Sequence, residues 1–340
     1  MAIALALACC SAAGGAEDAP DWSAYTKAQR LVELAPGRHL NLVCVGAGAP
    51  TILFESGMGE PTSTWARVQP EVAKKTRACS YDRAGVGFSD PGGDGSPATI
   101  VGDLEKLLAA AEIAPPYVLV AQSYGGLPAR LYYYRHPEQI AGMVLVDASV
   151  EEQGEGFRIV SPRALDRDGW RALGDPGRAL RKRCIAAAKA EGGIANDDPD
   201  YKSCVVDPPK GTPEALVAGY LEMQRHLPFQ QAQGNEEDAF DGPAANQLRA
   251  ERRGAPDLPL IVLTRSQDTS PLRNWETPHL REARYRVWTG LHRLIADSSS
   301  RGEQRIVPDS THGMQLSNPD AVIAAIDDVL RMANEAKPGR

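Results

Sequence analysis

Ser123 sits between an apolar run, Pro116-Tyr117-Val118-Leu119-Val120, and a segment of helical character, Leu127-Pro128-Ala129-Arg130-Leu131-Tyr132-Tyr133-Tyr134. Around it, Ala121-Gln122-Ser123-Tyr124-Gly125-Gly126 is small at the positions two before and two after the serine. A strand turning sharply into a helix needs small flanks, because larger side chains would collide across the turn. Such a turn lifts the serine Oγ above the sheet edge, and the helix N-terminus behind it offers N–H groups to a developing oxyanion. The pattern is A-x-S-x-G, with Ala121 where a first glycine is usual. The chemistry this serine can do is nucleophilic acyl transfer. A hydroxyl is too weakly acidic to attack unaided, so a base must lie within hydrogen-bond reach. Of the six histidines, His312 alone lies between a late strand-like run, Arg305-Ile306-Val307, and the final helix. His136, in Tyr134-Arg135-His136-Pro137, reads as a helix end. His39, His226, His279 and His292 carry no motif and read as surface residues.

The elements that must position these groups alternate between strand and helix, which argues for a mostly parallel sheet covered on both faces. Thr51-Ile52-Leu53-Phe54-Glu55 is a strand running into a glycine-rich loop, Ser56-Gly57-Met58-Gly59, which can present an oxyanion N–H from Met58. Ile100–Glu112 carries Val101, Leu104, Leu107 and Leu108 at helical spacing. Pro259-Leu260-Ile261-Val262-Leu263-Thr264-Arg265-Ser266-Gln267-Asp268 is a buried-strand run ending in an acid. In the tail, Pro319 opens an amphipathic helix with Val322, Ile326, Val329 and Leu330 on its apolar face. The alternation breaks after Ser149 and resumes at Leu258. The stretch between is charged and punctuated by proline and glycine, with helices expected over Trp170–Ala190 and Pro213–Arg225 and a polar loop over Gln230–Asp241. A helix over Trp275–Ala296 separates Asp268 from His312.

Taken together, these motifs resemble the α/β-hydrolase superfamily over residues 36–150 and 255–335. Tyr81-Asp82-Arg83-Ala84-Gly85-Val86-Gly87-Phe88-Ser89-Asp90 and Leu145-Val146-Asp147-Ala148-Ser149 look like that family's loops after the fourth and sixth strands. The resemblance implies a triad in the order serine, acid, histidine. It assigns Ser123 as nucleophile, His312 as base and Asp268, after the seventh strand, as acid. Asp147, after the sixth strand, is the alternative acid. The backbone N–H groups of Met58 and Tyr124 would form the oxyanion hole, with Glu55 and Gln122 as polar supports. It further implies an eight-stranded, mostly parallel sheet with helices on both faces and a helical cap inserted after the sixth strand. The core then takes 17–149 and 256–335, and the cap takes 150–255. Gly154, Gly156, Gly192 and Gly193 would be cap hinges, and Phe157, Trp170, Leu221, Met223, Leu227 and Phe229 an apolar wall. The implied activity is hydrolysis of a carboxylic ester or lactone, with a small-molecule ester as substrate. The same parts also serve acyltransferases, peptidases, C–C bond hydrolases and non-catalytic binding proteins. Haloalkane dehalogenases and epoxide hydrolases carry Asp at the elbow, where this chain has Ser123.

Composition bounds the rest. At 340 residues the chain can bury one large core or a core with a cap. A net charge of −7 disfavours nucleic acid as a partner, since phosphate binding needs a basic face. No apolar run in the body is long enough to span a membrane. The sequence has no phosphate-binding loop, no dinucleotide fingerprint and no paired-histidine zinc motif, so neither cofactor nor metal is implied. Residues 1–16 are small and apolar ahead of Glu17-Asp18 and read as an export signal, without a basic start. Cys9, behind Ala6-Leu7-Ala8, is a candidate lipid-anchor site. Export, to periplasm or medium, would favour disulfides among Cys44, Cys79, Cys184 and Cys204. The fold resemblance makes the second and fourth strands neighbours and so pairs Cys44 with Cys79. That leaves Cys184 with Cys204 inside the insertion.

Overall fold

The computed structural model describes residues 21–160, 167–266, 272 and 276–335, and of 167–176 the backbone alone. The segment 1–16, Cys9, Asp268, Trp275 and the side chain of Trp170 lie outside the described residues.

Eight strands form one sheet: β1 (Arg30–Ala35), β2 (Arg38–Val45), β3 (Thr51–Glu55), β4 (Ala78–Tyr81), β5 (Tyr117–Gln122), β6 (Ile140–Val146), β7 (Leu260–Arg265) and β8 (Gly302–Val307). Their order across the sheet is β1-β2-β4-β3-β5-β6-β7-β8. β2 runs antiparallel to β1 and β4, and the other neighbours are parallel. The central strands read as unbroken apolar runs because both faces are buried. Alternate residues feed two separate cores. Leu53, Leu119, Ala121, Met143, Leu145 and Val262 face one, and Ile52, Phe54, Val118, Val120, Val144, Val146, Ile261 and Leu263 face the other.

The twelve helices are α1 (Gln69–Ala73), α2 (Pro97–Ala110), α3 (Gly126–Arg135), α4 (Gln153–Val160), α5 (Arg167–Ala187), α6 (Tyr201–Cys204), α7 (Glu214–Gln224), α8 (Leu227–Asp241), α9 (Ala244–Glu251), α10 (Pro278–Ala296), α11 (Met314–Ser317) and α12 (Pro319–Glu335). Those are the α-helices among the described residues. α2 begins three residues earlier than its apolar spacing suggests. Ser96 caps it by accepting the Thr99 amide, and Pro97 occupies the first turn. α12 buries Val322, Ala325, Ile326 and Val329 against the sheet, with Leu330 partly buried beside them.

Between β6 and β7 the chain runs through α4 to α9. Gln230–Asp241, expected as a polar loop, is instead most of α8. Its buried face carries Phe229, Gln230, Gly234, Glu236 and Ala239. A helix that buries glutamine and glutamate gives no apolar periodicity to read. Its polar groups are met by partners elsewhere in the chain. Gln230 Nε2 donates to Cys204 O at 3.0 Å, and Arg181 Nη1 donates to Gln230 Oε1 at 2.6 Å. Cys184, Ala188, Ile194, Cys204 and Val205 form the insertion's own small core, with Leu221 and Leu227 packed on it. These two leucines therefore belong to that core rather than to an open wall. Ala244 and Leu248 of α9 join the main core instead.

Cys44 and Cys79 are register partners on β2 and β4 and are disulfide-bonded. Cys184 and Cys204 are also bonded, across 20 residues. A crosslink restricts the unfolded chain, by roughly 3 kcal/mol for a loop of this size. Replacing Cys184 and Cys204 by serine should lower unfolding stability by about that amount in a urea titration, and peptide mapping without reductant should recover both pairs.

Candidate active site

β5 is buried along its whole length and ends at Gln122. Ser123 then takes φ of 50°, a left-handed conformation that L-residues rarely adopt, before α3 begins at Gly126. The smallness of the next residues has a steric cause. A Cβ on Gly125 would lie 2.5 Å from Ser56 O and 2.6 Å from Glu55 O, so the elbow packs directly on the loop after β3.

His312 lies between β8 and α11. Its Nε2 is 2.8 Å from Ser123 Oγ, and its Nδ1 is 2.6 Å from Asp147 Oδ2. Gln122 Nε2 donates to His312 O at 3.1 Å and so ties the histidine loop to the end of β5. Ser123 is partly exposed and the His312 side chain is 47% exposed, so the pair opens to solvent.

Asp147 is fully buried directly after β6 and also has a positive φ, 45°. Trp288 Nε1 donates to its Oδ1 at 2.7 Å, the Arg265 amide donates to Oδ1 at 3.1 Å, and the Arg265 guanidinium binds Oδ2. Burial by itself would raise the carboxyl pKa. The His312 hydrogen bond and charge, with the Arg265 charge, outweigh it and hold Asp147 well below the usual carboxylate range. Asp147 is thus an anion held by three other elements. The sheet brings β6 and β7 side by side, with Val146 opposite Leu263, so both strand ends reach the His312 loop. The position on His312 Nδ1 is filled from β6. Arg265, which ends β7, points at the same carboxylate and lies over the Trp288 ring, 5.3 Å from its centroid.

Glu55 and Gln122, expected as supports, are both buried. Glu55 accepts from Arg83 Nη1 at 2.7 Å and from the Tyr81 hydroxyl. Met58 lies in the loop between Gly57 and Gly59, and a Cβ on Gly57 would lie 2.2 Å from Gln122 Oε1. Phe229 of α8 packs on that loop, its ring 3.4 Å from where a Gly59 side chain would begin. Phe157 stacks on Trp288 with ring centroids 6.1 Å apart. Met223 faces the loop after β4, where its sulfur accepts the Gly87 amide.

Arg265, Trp288 and His292 carry roles that sequence reading missed. Far from being on the surface, His292 is fully buried. Its Nδ1 is 2.8 Å from Thr264 Oγ1 and its Nε2 is 2.9 Å from Ala148 O, which fastens α10 under the Asp147 loop. Burial pushes its pKa down. An unfolded histidine takes up a proton near about pH 6.5, while the folded one resists it. At this site the unfolded state therefore binds more protons, and the stability that His292 contributes falls as pH drops below about 6.5. His292→Gln should flatten that slope in denaturant titrations run from neutral to mildly acid pH.

Among the described residues, no cluster of histidine, cysteine or carboxylate side chains could hold a metal ion, and no helix is long and apolar enough to cross a membrane. Residues 50–182 match the family model of the alpha/beta hydrolase fold. Over 106 residues the chain is 36% identical to the Bacillus subtilis protein YqjL, an overlap of 31% of this chain and 42% of that protein. Over 121 residues it is 33% identical to a 2-hydroxymuconate semialdehyde hydrolase of Pseudomonas sp., covering 34% of this chain and 42% of that one. The chain thus spans less than half the length of these curated relatives. The enol-lactonase of Burkholderia xenovorans superposes with a TM-score of 0.55 at 19% identity, covering 88% of this chain and 99% of that one, a likeness of fold.

Proposed function

We propose, on the premise that the chain belongs to the α/β-hydrolase superfamily, that it is a serine hydrolase cleaving a carboxylic ester or lactone through an acyl-enzyme. The observation that carries this reading is the single line of contacts from Ser123 Oγ through His312 to Asp147. In the reaction, Ser123 Oγ attacks the substrate carbonyl while His312 Nε2 takes its proton. The new oxyanion is received by the amides of Met58 and Tyr124. As the tetrahedral intermediate collapses, His312 returns the proton to the leaving alkoxide, and the acyl group stays on Ser123. A water then repeats the cycle with His312 as base, which frees the acid.

Asp147 takes the role of acid in this proposal, and Asp268 does not. Nδ1–H of His312 serves one strong acceptor, and Asp147 Oδ2 stands there at 2.6 Å. A buried carboxylate held ionised keeps the imidazole in the tautomer whose Nε2 faces Ser123 and stabilises the imidazolium that forms.

The helices between β6 and β7 are assigned as the cap, with α9 as its anchor on the core. Phe229 and Phe157 are the apolar side chains it offers to the site, because one packs on the Met58 loop and the other on Trp288 beside Asp147. The two disulfides support a location outside the cytoplasm.

The likeness to a 2-hydroxymuconate semialdehyde hydrolase favours one second reading, C–C bond hydrolysis on the same triad. A panel of p-nitrophenyl esters of graded chain length, simple lactones and a vinylogous diketone separates the two. The ester reading expects turnover on the first two groups. Turnover confined to the diketone would replace it.

A further inference from the structure

Arg83 and Glu236 form a buried pair that does no chemistry in the scheme above. Arg83 is 3% exposed and follows β4, and Glu236 is 2% exposed and lies on α8. Arg83 Nε donates to Glu236 Oε1 at 2.7 Å, and Nη2 donates to Oε2 at 3.1 Å. The remaining guanidinium hydrogens go to the end of β3 and the loop after it: Nη1 to Glu55 Oε1 at 2.7 Å and to Ser56 O at 2.6 Å, and Nη2 to Gly57 O. Glu236 Oε2 also accepts the Gly59 amide at 2.8 Å. Met58 is therefore bracketed. The carbonyl of the residue before it is held by Arg83, and the amide of the residue after it is held by Glu236. Gly59 has φ of 66°, a backbone state that its own sequence position does not enforce.

We infer that Glu236 is a positioning residue through which the docked insertion sets the orientation of the Met58 amide, so that the oxyanion hole is complete only while α8 is seated. This deepens the proposed function and rests on it. Of the groups named in the bracket, Glu55, Ser56, Gly57, Gly59 and Arg83 belong to the core, and Glu236 alone comes from the insertion. A carboxylate is the fitting group, because it accepts both from the guanidinium and from the loop amide. Burial removes competing water, so a lost partner is not replaced by solvent. Displacement of α8 would take from Arg83 the carboxylate that fixes its Nε edge, leave it on Glu55 and the Ser56 and Gly57 carbonyls, and free the Gly59 amide, so that the Met58 N–H would lose its fixed direction. Substrate that fits under the cap would then be processed by an assembled hole, and the uncapped enzyme would turn over slowly.

The test uses the full chain and p-nitrophenyl acetate. Glu236→Gln keeps the size but replaces one of the two acceptor oxygens by an NH2 donor, which must then face an N–H of Arg83 or of Gly59, and removes the charge that pairs with the guanidinium. It should lower kcat by about 10²-fold, the scale of losing one oxyanion donor, with KM nearly unchanged. Affinity for phenylboronic acid, whose tetrahedral adduct uses the hole, should fall in parallel, and the pH profile of kcat should keep its shape because His312 and Asp147 are untouched. A folded Glu236→Gln enzyme with wild-type kcat and wild-type boronate affinity overturns the inference, as does a loss carried by KM alone. Should that variant not fold, Glu236→Asp keeps the charge and both acceptor oxygens one methylene further back. The same split between kcat and KM is then expected at about tenfold, and an unchanged kcat overturns the inference. Wild-type protein that fails to react with a fluorophosphonate probe at Ser123 would sink the triad reading itself. A labelled wild type with an equally fast Glu236→Gln enzyme sinks this inference alone.

Discussion

Replacing Ser123 by alanine is expected to remove nearly all turnover, a loss on the order of 10⁶-fold in kcat, as for a nucleophile that works as a unit with its base. What survives should be the roughly 10³–10⁴-fold advantage over water that binding and oxyanion donors supply alone. The fold should stay intact. Among the described residues, Ser123 Oγ bonds to His312 at 2.8 Å and to nothing else, while the elbow itself is held by β5, α3 and the Ser149 amide donating to Ser123 O at 2.7 Å. Steady-state rates on a short p-nitrophenyl ester, paired with a thermal melt, check both halves. An alanine variant within tenfold of wild type would remove Ser123 from the chemistry.

The second large effect concerns the acid. Asp147→Asn should cut kcat by about 10⁴-fold, the cost of holding the histidine in the wrong tautomer. The asparagine could turn its amide toward Nδ1, leaving Nε2 protonated against Ser123 and unable to accept. The same change removes the carboxylate charge that pairs with Arg265, while the remaining carbonyl oxygen still accepts from Trp288. Asp268→Asn should change kcat by less than about threefold. Parallel kinetics on the two asparagine variants decide between the strand ends, and the reverse ranking would return the acid to β7.

That contest shows where sequence reading reaches and where it stops. Ser123 is legible because its signal is local: an apolar strand, small residues and a helix in immediate succession. His312 is legible from its place between the last strand and the last helix. The acid is not local. β6 and β7 are hydrogen-bonded neighbours, so a carboxylate at the end of either is within reach of the histidine loop, and sequence pattern does not choose between them. The usual place after the seventh strand pointed to Asp268, with Asp147 as the alternative, and among the described residues the carboxylate on His312 Nδ1 is Asp147.

The sheet was readable because strands buried on both faces leave long apolar runs. α8 was not, since its buried side holds Gln230 and Glu236, which are satisfied by Cys204 O and by Arg83, residues 26 and 153 positions away. His292 escaped for the same reason. Its partners Thr264 and Ala148 lie 28 and 144 residues off, and nothing beside it in sequence marks it as buried. Polar groups whose partners are distant in sequence are the part of this protein that pattern alone does not reveal.

The central claim is that Ser123, His312 and Asp147 act as one nucleophilic unit. Its most direct measurement is the site and rate of reaction with a fluorophosphonate probe, read by peptide mass spectrometry on the wild type, Ser123→Ala, Asp147→Asn and Asp268→Asn. One adduct on Ser123 is expected in the wild type, none in Ser123→Ala, labelling slowed by orders of magnitude in Asp147→Asn, and a wild-type rate in Asp268→Asn. An adduct on another residue, or an Asp147→Asn enzyme that labels as fast as wild type, would contradict it.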